Sequence, residues 1–386
     1  MAPKCYRVGL LFSTSGPYSV VAQSMLNGAL LALEQVNAEP EAGVRLEPVM
    51  GDPGGVNAEY ARLAREMLND GIRHVVGCYT SSSRKEVIPF FEKHDALLWY
   101  PSHYEGFEAS ANVVYTGAAP NQHILPLTRY LIEEYGKHAF CVGSNYIWAW
   151  ENNRILRETL LANDGEVIAE RYLPVGETDF DPLIEKIVDA RPSFVFNTLI
   201  GTSAYHFFRT FRAACEKRGI EQAREIPVAS CSLSEPELEE IGPDAVDGHL
   251  SSSVYFSTID SAANARFIEA YRARFPAGPT MSADAEATFI AVRLLSDALR
   301  SAGSDAIDPV REAVGGAAIT APQGRVSIDR DSRHAYLTPR IGRSNGRARF
   351  DIILESSRPV RPDPYLIESA PRYTLVARRP NLRIVS

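Results

Sequence analysis

The chain has 386 residues, of which 45% are hydrophobic and 23% charged, enough to bury a sizeable core in two or three domains. Its net charge of −8 supplies no general attraction to phosphate. The basic stretch at Arg340, Arg343, Arg347 and Arg349 is interrupted by Gly, Ser and Asn, so it reads as a solvated strand edge or loop, and direct nucleic-acid binding is not expected.

Strand-like and helix-like runs alternate from the start: strand 7–12, helix 22–37, strand 45–50, helix 58–69, strand 74–78, helix 84–93 and strand 97–100. That alternation predicts an α/β fold of βαβ units around a parallel sheet. In the first helix Leu26, Ala29, Leu30 and Leu33 share an apolar face opposite Ser24 and Gln35. A second series begins after 112–116, with helix 125–135, strand 139–143, helix 154–161, strand 167–172, helix 183–189, strand 194–199, helix 205–217 and strand 227–230. The count predicts two Rossmann-like lobes, each with its own parallel central sheet. Two long helices, 261–275 and 283–302, arrive after the second series and are expected to return to the first lobe. Short strands at 325–328, 336–341 and 349–354 are assigned to the second. The expected division is therefore 1–119 plus 258–319 for lobe I, 120–257 plus 320–375 for lobe II, and a C-terminal tail at 376–386. The three crossings fall near 119–122, 254–258 and 320–324.

Five cysteines with no C-x-x-C pair fit buried reduced thiols better than a disulfide framework. The apolar segment 8–12 is too short for a secretory or membrane-spanning stretch. Both features lead to the expectation of a cytoplasmic protein with no membrane insertion; a periplasmic location would follow if an upstream signal sequence were omitted from the chain. The eight histidines form no H-x-H or H-E-x-x-H pattern, and no Cys/His cluster has zinc spacing, so no metal or other cofactor is expected. Phosphate-loop, dinucleotide and nucleophile-elbow motifs do not occur. Ser82-Ser83-Arg84-Lys85 matches S-x-x-K, but its companion motifs are missing and the serines stand where helix caps are needed. No catalytic residue is assigned, and a non-enzymatic protein is expected.

Ligands of open α/β sheets bind beyond the carboxyl ends of the strands, where helix N-termini present unpaired N–H groups. In the first series those positions hold Ser13, Thr14, Ser15 and Gly16, then Tyr79, Thr80, Ser81, Ser82 and Ser83, then Tyr100, Pro101 and Ser102. In the second they hold Ser144, Asn145, Tyr146 and Trp148, then Gly201 and Thr202, then Cys231, Ser232 and Ser234. Hydroxyls and aromatic faces dominate, and none of these residues carries a formal charge. Arg84, Lys85, Glu151 and Glu235 lie near enough in sequence to alter that picture by side-chain reach. A free amino acid normally needs an acidic partner for its ammonium, and a carboxylate site often uses Arg. A small, flat, neutral polar molecule is the simplest fit, hydrogen-bonded by Ser and Tyr and sandwiched by Tyr79, Tyr100 and Tyr146. Taken singly, each of these residues has a plainer explanation as a helix cap or packing group. Cys78 and Cys231 read as small buried fillers.

At Val8-Gly9-Leu10-Leu11-Phe12-Ser13, Gly51-Asp52-Pro53-Gly54-Gly55, Val76-Gly77-Cys78-Tyr79, Tyr104-Glu105-Gly106-Phe107-Glu108, Ala119-Pro120-Asn121-Gln122, Ala321-Pro322-Gln323-Gly324 and Arg361-Pro362-Asp363-Pro364-Tyr365 the sequence resembles the type I periplasmic-binding-protein superfamily. Within it, the likeness is to the amide-sensing regulators of bacterial aliphatic amidase operons and to the urea and short-chain-amide binding components of ABC transporters. The resemblance implies two lobes joined by three hinge crossings, closure over a buried amide or urea, and a ligand-responsive regulator with a transcription antiterminator as partner. The alternative is a transporter component that serves an ABC permease; a hydrolase of the same molecules is a third, weaker option. The resemblance also implies ligand contacts at Tyr79, Ser81, Tyr100, Ser102, Tyr146, Trp148, Ile200 and Ser232. Ser102, His103 and Trp148 depart from the residues expected there, Thr, Pro and Tyr. Oligomeric state, a homo-oligomer included, is not set by the sequence.

Overall fold

The computed structural model describes residues 3–39 and 43–369, so the expected tail at 376–386 lies outside the described residues. Strand β1 (Lys4–Leu11) leads through helix α1 (Ser19–Ala38) to β2 (Val44–Gly51), α2 (Asn57–Asn69), β3 (His74–Gly77), α3 (Ser81–Lys93), β4 (Leu97–Tyr100) and β5 (Val113–Tyr115). These strands form one parallel sheet in the order β2-β1-β3-β4-β5. Strands β3, β4 and β5 are buried throughout, the composition a parallel sheet covered on both faces requires.

The chain then enters α4 (Ile124–Glu134) and repeats the pattern with β6 (His138–Ser144), α5 (Ile147–Leu161), β7 (Glu166–Leu173), α6 (Asp181–Ala190), β8 (Phe194–Thr198), α7 (Thr202–Glu216), α8 (Gln222–Glu225), β9 (Val228–Ser230), α9 (Glu235–Ile241) and β10 (Leu250–Ser253). Neither α9 nor β10 is anticipated by periodicity. Strand β10 reads Leu-Ser-Ser-Ser, with no apolar run, and α9 has only seven residues. A signal for α9 is nevertheless present, because Ser234 and Glu237 form a capping box at its start.

Helices α10 (Ala262–Arg274), α11 (Ala283–Ala302) and α12 (Ile307–Val314) follow. Helix α11 packs along α1, with Ser24 Oγ 2.8 Å from Ser282 Oγ. Gly28 permits the approach: a Cβ there would lie 2.2 Å from the Ala285 carbonyl oxygen. Helix α10 also lies against α1, where Asn27 Nδ2 donates to the Tyr271 hydroxyl at 3.2 Å.

The next segment departs from the crossing expected at 320–324. Strands β11 (Ala318–Ala321), β12 (Gly324–Ile328) and β13 (Ala335–Tyr336) form a separate antiparallel sheet, and His334 bridges Tyr115 at the edge of the first sheet. Residues 320–324 therefore turn a hairpin, and the third crossing lies near 337–339. Beyond it β14 (Arg340–Asn345) and β15 (Arg349–Glu355) add antiparallel strands to complete the order β15-β14-β10-β9-β8-β6-β7. The expectation fails because the Pro322-Gln323-Gly324 break that resembles a linker is a tight hairpin turn.

Arg340 ties the second and third crossings together. Its guanidinium donates to the carbonyls of Val254 and Thr338, and at 3.0 Å to that of Gln323, while pairing with Glu355 at 2.6 Å. The lobes are closed on one another: Thr202 N–H donates to the Pro17 carbonyl at 3.1 Å, and the Arg154 guanidinium covers the Phe107 ring at 4.6 Å. Gly201, at φ +57°, allows this contact, since a Cβ there would lie 2.1 Å from the Pro17 carbonyl oxygen. Gly201→Ala is expected to weaken ligand binding at least tenfold by calorimetry, because the clash arises where the lobes meet. Wild-type affinity in that variant would show that closure does not use this contact.

Candidate functional site

The strand-to-helix turns of both sheets bring Tyr79 and Ser81 (β3 to α3), Ser102 and His103 (after β4), Tyr146 and Trp148 (β6 to α5), Ile200 (after β8) and Ser232 (after β9) around one small cavity of about 10 Å³. This space is smaller than the roughly 300–1,000 Å³ of sites for drug-sized ligands. Seven of the eight residues named from sequence line it. Tyr100 does not: its hydroxyl donates to the Tyr79 carbonyl at 2.8 Å, so it supports the wall from beneath. His103, singled out only as a departure, is the additional lining residue.

Other strand-end hydroxyls serve the scaffold. Ser13 Oγ donates to the Tyr60 hydroxyl and accepts from Gly55 N–H, while Thr14 Oγ1 donates to Asp52. Thr80 caps α3 by accepting from Ser83 N–H, and Ser144 Oγ accepts from Ile200 N–H. Thr80 alone of these is a helix cap, and the other three brace neighbouring turns.

The nearby charges are all engaged away from the cavity. Arg84 has no exposed side-chain surface; it pairs with Glu105 at 3.1 Å and Glu108 at 2.7 Å and lies over the rings of Tyr100 and Tyr104 at 4.7 and 4.6 Å. Burial raises the Glu108 carboxyl, but the charges and hydrogen bonds of Arg84 and Lys85 together draw it down to about 2. Lys85 also binds Glu108, Glu151 pairs with Arg154, and Glu235 accepts from Ser257 N–H. Side-chain reach therefore leaves the wall without a fixed charge.

Buried carboxylates do set the polarity of that wall. Ser81 Oγ donates to Glu105, and Ser102 Oγ donates to Asp284 Oδ1 at 2.8 Å. With their protons committed, both hydroxyls offer lone pairs to the cavity. Trp148 comes from the other lobe with its indole N–H buried and unpartnered among the described residues. Burial raises the pKa values of Tyr79 and Tyr146, which keeps both phenols protonated.

Glu237, at the start of α9, is held by Ser234, yet burial, reinforced by Asp284, pushes its carboxyl up to about 8. Burial likewise raises Glu286, bound by Gln323, to about 7. Each group holds its proton more tightly in the folded chain than at its ordinary value of 4.5. Their contribution is complete below that value and is lost as pH rises through the folded values, so melting temperature is expected to fall between pH 5 and 8. Glu237→Gln should flatten the decline in thermal melts; an unchanged slope would show that Glu237 does not titrate in this range.

All five cysteines are free, four of them buried. Among the described residues no group of three or more His, Cys, Asp or Glu is placed to hold a metal ion, and no helix is long and apolar enough to cross a membrane. Two lobes closing on a small cavity define a solute-binding protein. The sequence model of the family described as "Periplasmic binding protein domain" matches residues 6–371, and the chain belongs to that family. It is 24% identical to a Leu/Ile/Val-binding protein homolog 6 of Brucella abortus over 85% of this chain and 84% of that protein. The leucine-, isoleucine-, valine-, threonine-, and alanine-binding protein of Pseudomonas aeruginosa is also 24% identical, over 85% of this chain and 87% of its own. A solute binding protein of an ABC transporter from Rhodopseudomonas palustris, solved with p-hydroxybenzoic acid, superposes with TM-score 0.83 at 20% identity, covering 95% of this chain and 100% of that one. The protein is thus a non-catalytic member of the type I superfamily. Membership also overturns the expected cytoplasmic location, since the family is one of periplasmic binding proteins; free cysteines and a short apolar N-terminal segment were weak guides to compartment.

Proposed function

We propose that this protein is the solute-binding component of an ABC transporter, and that its solute is a short neutral amide or urea. One observation carries the choice of ligand: Ser81 and Ser102 on one lobe are fixed as acceptors, while Trp148 on the other brings an unpaired donor. An amide group is the complement, with its NH₂ facing the two serines and its carbonyl the indole. Tyr79 and Tyr146 add aromatic faces and phenolic donors. A free amino acid, as the names of the relatives state for them, would bring an ammonium and a carboxylate to a wall with no Arg, Lys, Asp or Glu among its lining residues. Tyr100 acts as a support that fixes the Tyr79 backbone.

Closure follows from a ligand that touches both lobes and so favours the arrangement in which they meet. A ligand-responsive regulator signalling to a transcription antiterminator would use the same closure with a different partner. Genomic neighbours, permease subunits against an amidase with an antiterminator, separate the two.

A four-heavy-atom amide at about −1.5 kcal/mol per atom gains at most about −6 kcal/mol, so dissociation constants of tens of micromolar or weaker are expected by calorimetry. Acetamide or urea should raise the melting temperature and leucine should not; the reverse result overturns the amide reading. Tyr79→Phe should weaken amide binding by about 1–3 kcal/mol if its hydroxyl bonds the ligand, and unchanged affinity would remove that hydroxyl from the polar contacts.

A further inference from the structure

Beside the ligand cavity lies a second small space of about 20 Å³, whose wall includes His123, Cys231 and Asp284. The two spaces share a single lining residue, His103. Its imidazole stands edge-on between two rings, with centroids 5.5 Å from Trp148 in the front cavity and 5.7 Å from His123 in the rear one. The ring is therefore the partition. Its Nδ1 lies 3.5 Å from Asp284 Oδ1, long for a hydrogen bond, so rotation of the ring must break this one weak polar contact.

The rear wall has an unmet need. His123 is buried to 1% exposure, and its Nε2 donates to the Tyr104 carbonyl at 2.9 Å. That bond fixes the tautomer and leaves Nδ1 as a lone-pair acceptor with no partner among the described residues. Burial keeps the ring neutral, its pKa drawn down to about 3. The Asp284 carboxylate is a second acceptor on the same wall. A buried acceptor without a donor is costly, and the group that suits this space carries an O–H or N–H.

We infer that the rear chamber is an extension of the ligand site, gated by His103, that takes the hydroxyl or amino end of a short amide or urea longer than acetamide. This rests on the amide reading of the front cavity. With His103 turned aside the chambers join. The amide end then stays between Ser81, Ser102 and Trp148, and the donor end reaches His123 Nδ1 and Asp284.

The test is calorimetric titration of the full chain with acetamide and with 3-hydroxypropanamide, in wild type, His103→Ala, His103→Asn and the double variant His103→Ala with His123→Phe. Opening the partition should shift the affinity ratio toward 3-hydroxypropanamide by tenfold or more, and removing the His123 acceptor should abolish the shift. The Asn variant serves if the Ala variant does not fold. A crystal structure of the opened variant with 3-hydroxypropanamide should place the ligand hydroxyl within hydrogen-bond distance of His123 Nδ1. An unmoved ratio, a shift that survives His123→Phe, or a hydroxyl left in the front cavity overturns the inference while acetamide binding keeps the front site intact. Failure of wild type to bind either amide overturns the amide reading, and the rear chamber's role with it.

Discussion

Arg84 carries a full positive charge with no exposed side-chain surface, and the first lobe's side of the cleft is organised around compensating it. Two carboxylates, Glu105 and Glu108, and two tyrosine rings surround the guanidinium. Removing one partner of such a pair typically costs about 3–5 kcal/mol, because the remaining charge is stranded. The arrangement passes its order outward to the cavity. Glu105, held by Arg84, takes the Ser81 proton; Tyr100, packed under the same guanidinium, holds the Tyr79 carbonyl. A wall that looks uncharged is thus oriented by charges one layer behind it, where low dielectric strengthens each hydrogen bond.

Asp284 does the corresponding work from a different element. It begins α11, which returns to the first lobe after the chain has built most of the second, and it orients Ser102. The second and third crossings are joined by Arg340, which reaches Val254 and Thr338 and also holds the Gln323 hairpin turn that binds Glu286. A ligand of a few atoms gains little free energy by itself. Its capacity to favour closure depends on contacts already complementary between the lobes, such as Gly201 against Pro17.

Relatives named for branched-chain amino acids share the scaffold at about a quarter sequence identity, which fixes the fold and leaves the ligand to the wall residues. In this chain those residues are hydroxyls, rings, one histidine and Ile200. His103 alone lines both spaces and separates the front cavity from the rear chamber, with Trp148 edge-on to it on the front side.

Alternating apolar patterns by themselves determined the βαβ order, the two central βαβ sheets and the strand ends at which Tyr79, Ser81, Ser102, Tyr146 and Trp148 stand, because such patterns are local and strand ends are where open sheets expose polar groups. Short elements without a strong period, α9, β10 and α12, were illegible except for the Ser234–Glu237 cap. Tertiary structure alone decided the rest. It spent Ser13, Thr14 and Thr80 on the scaffold, moved Tyr100 behind the wall, placed the third crossing beyond a hairpin, and brought Asp284 from nearly 200 residues away to fix the proton of Ser102. The reason is that hydrogen-bond partnership and burial are set by which distant segments meet, and no local spacing records that meeting.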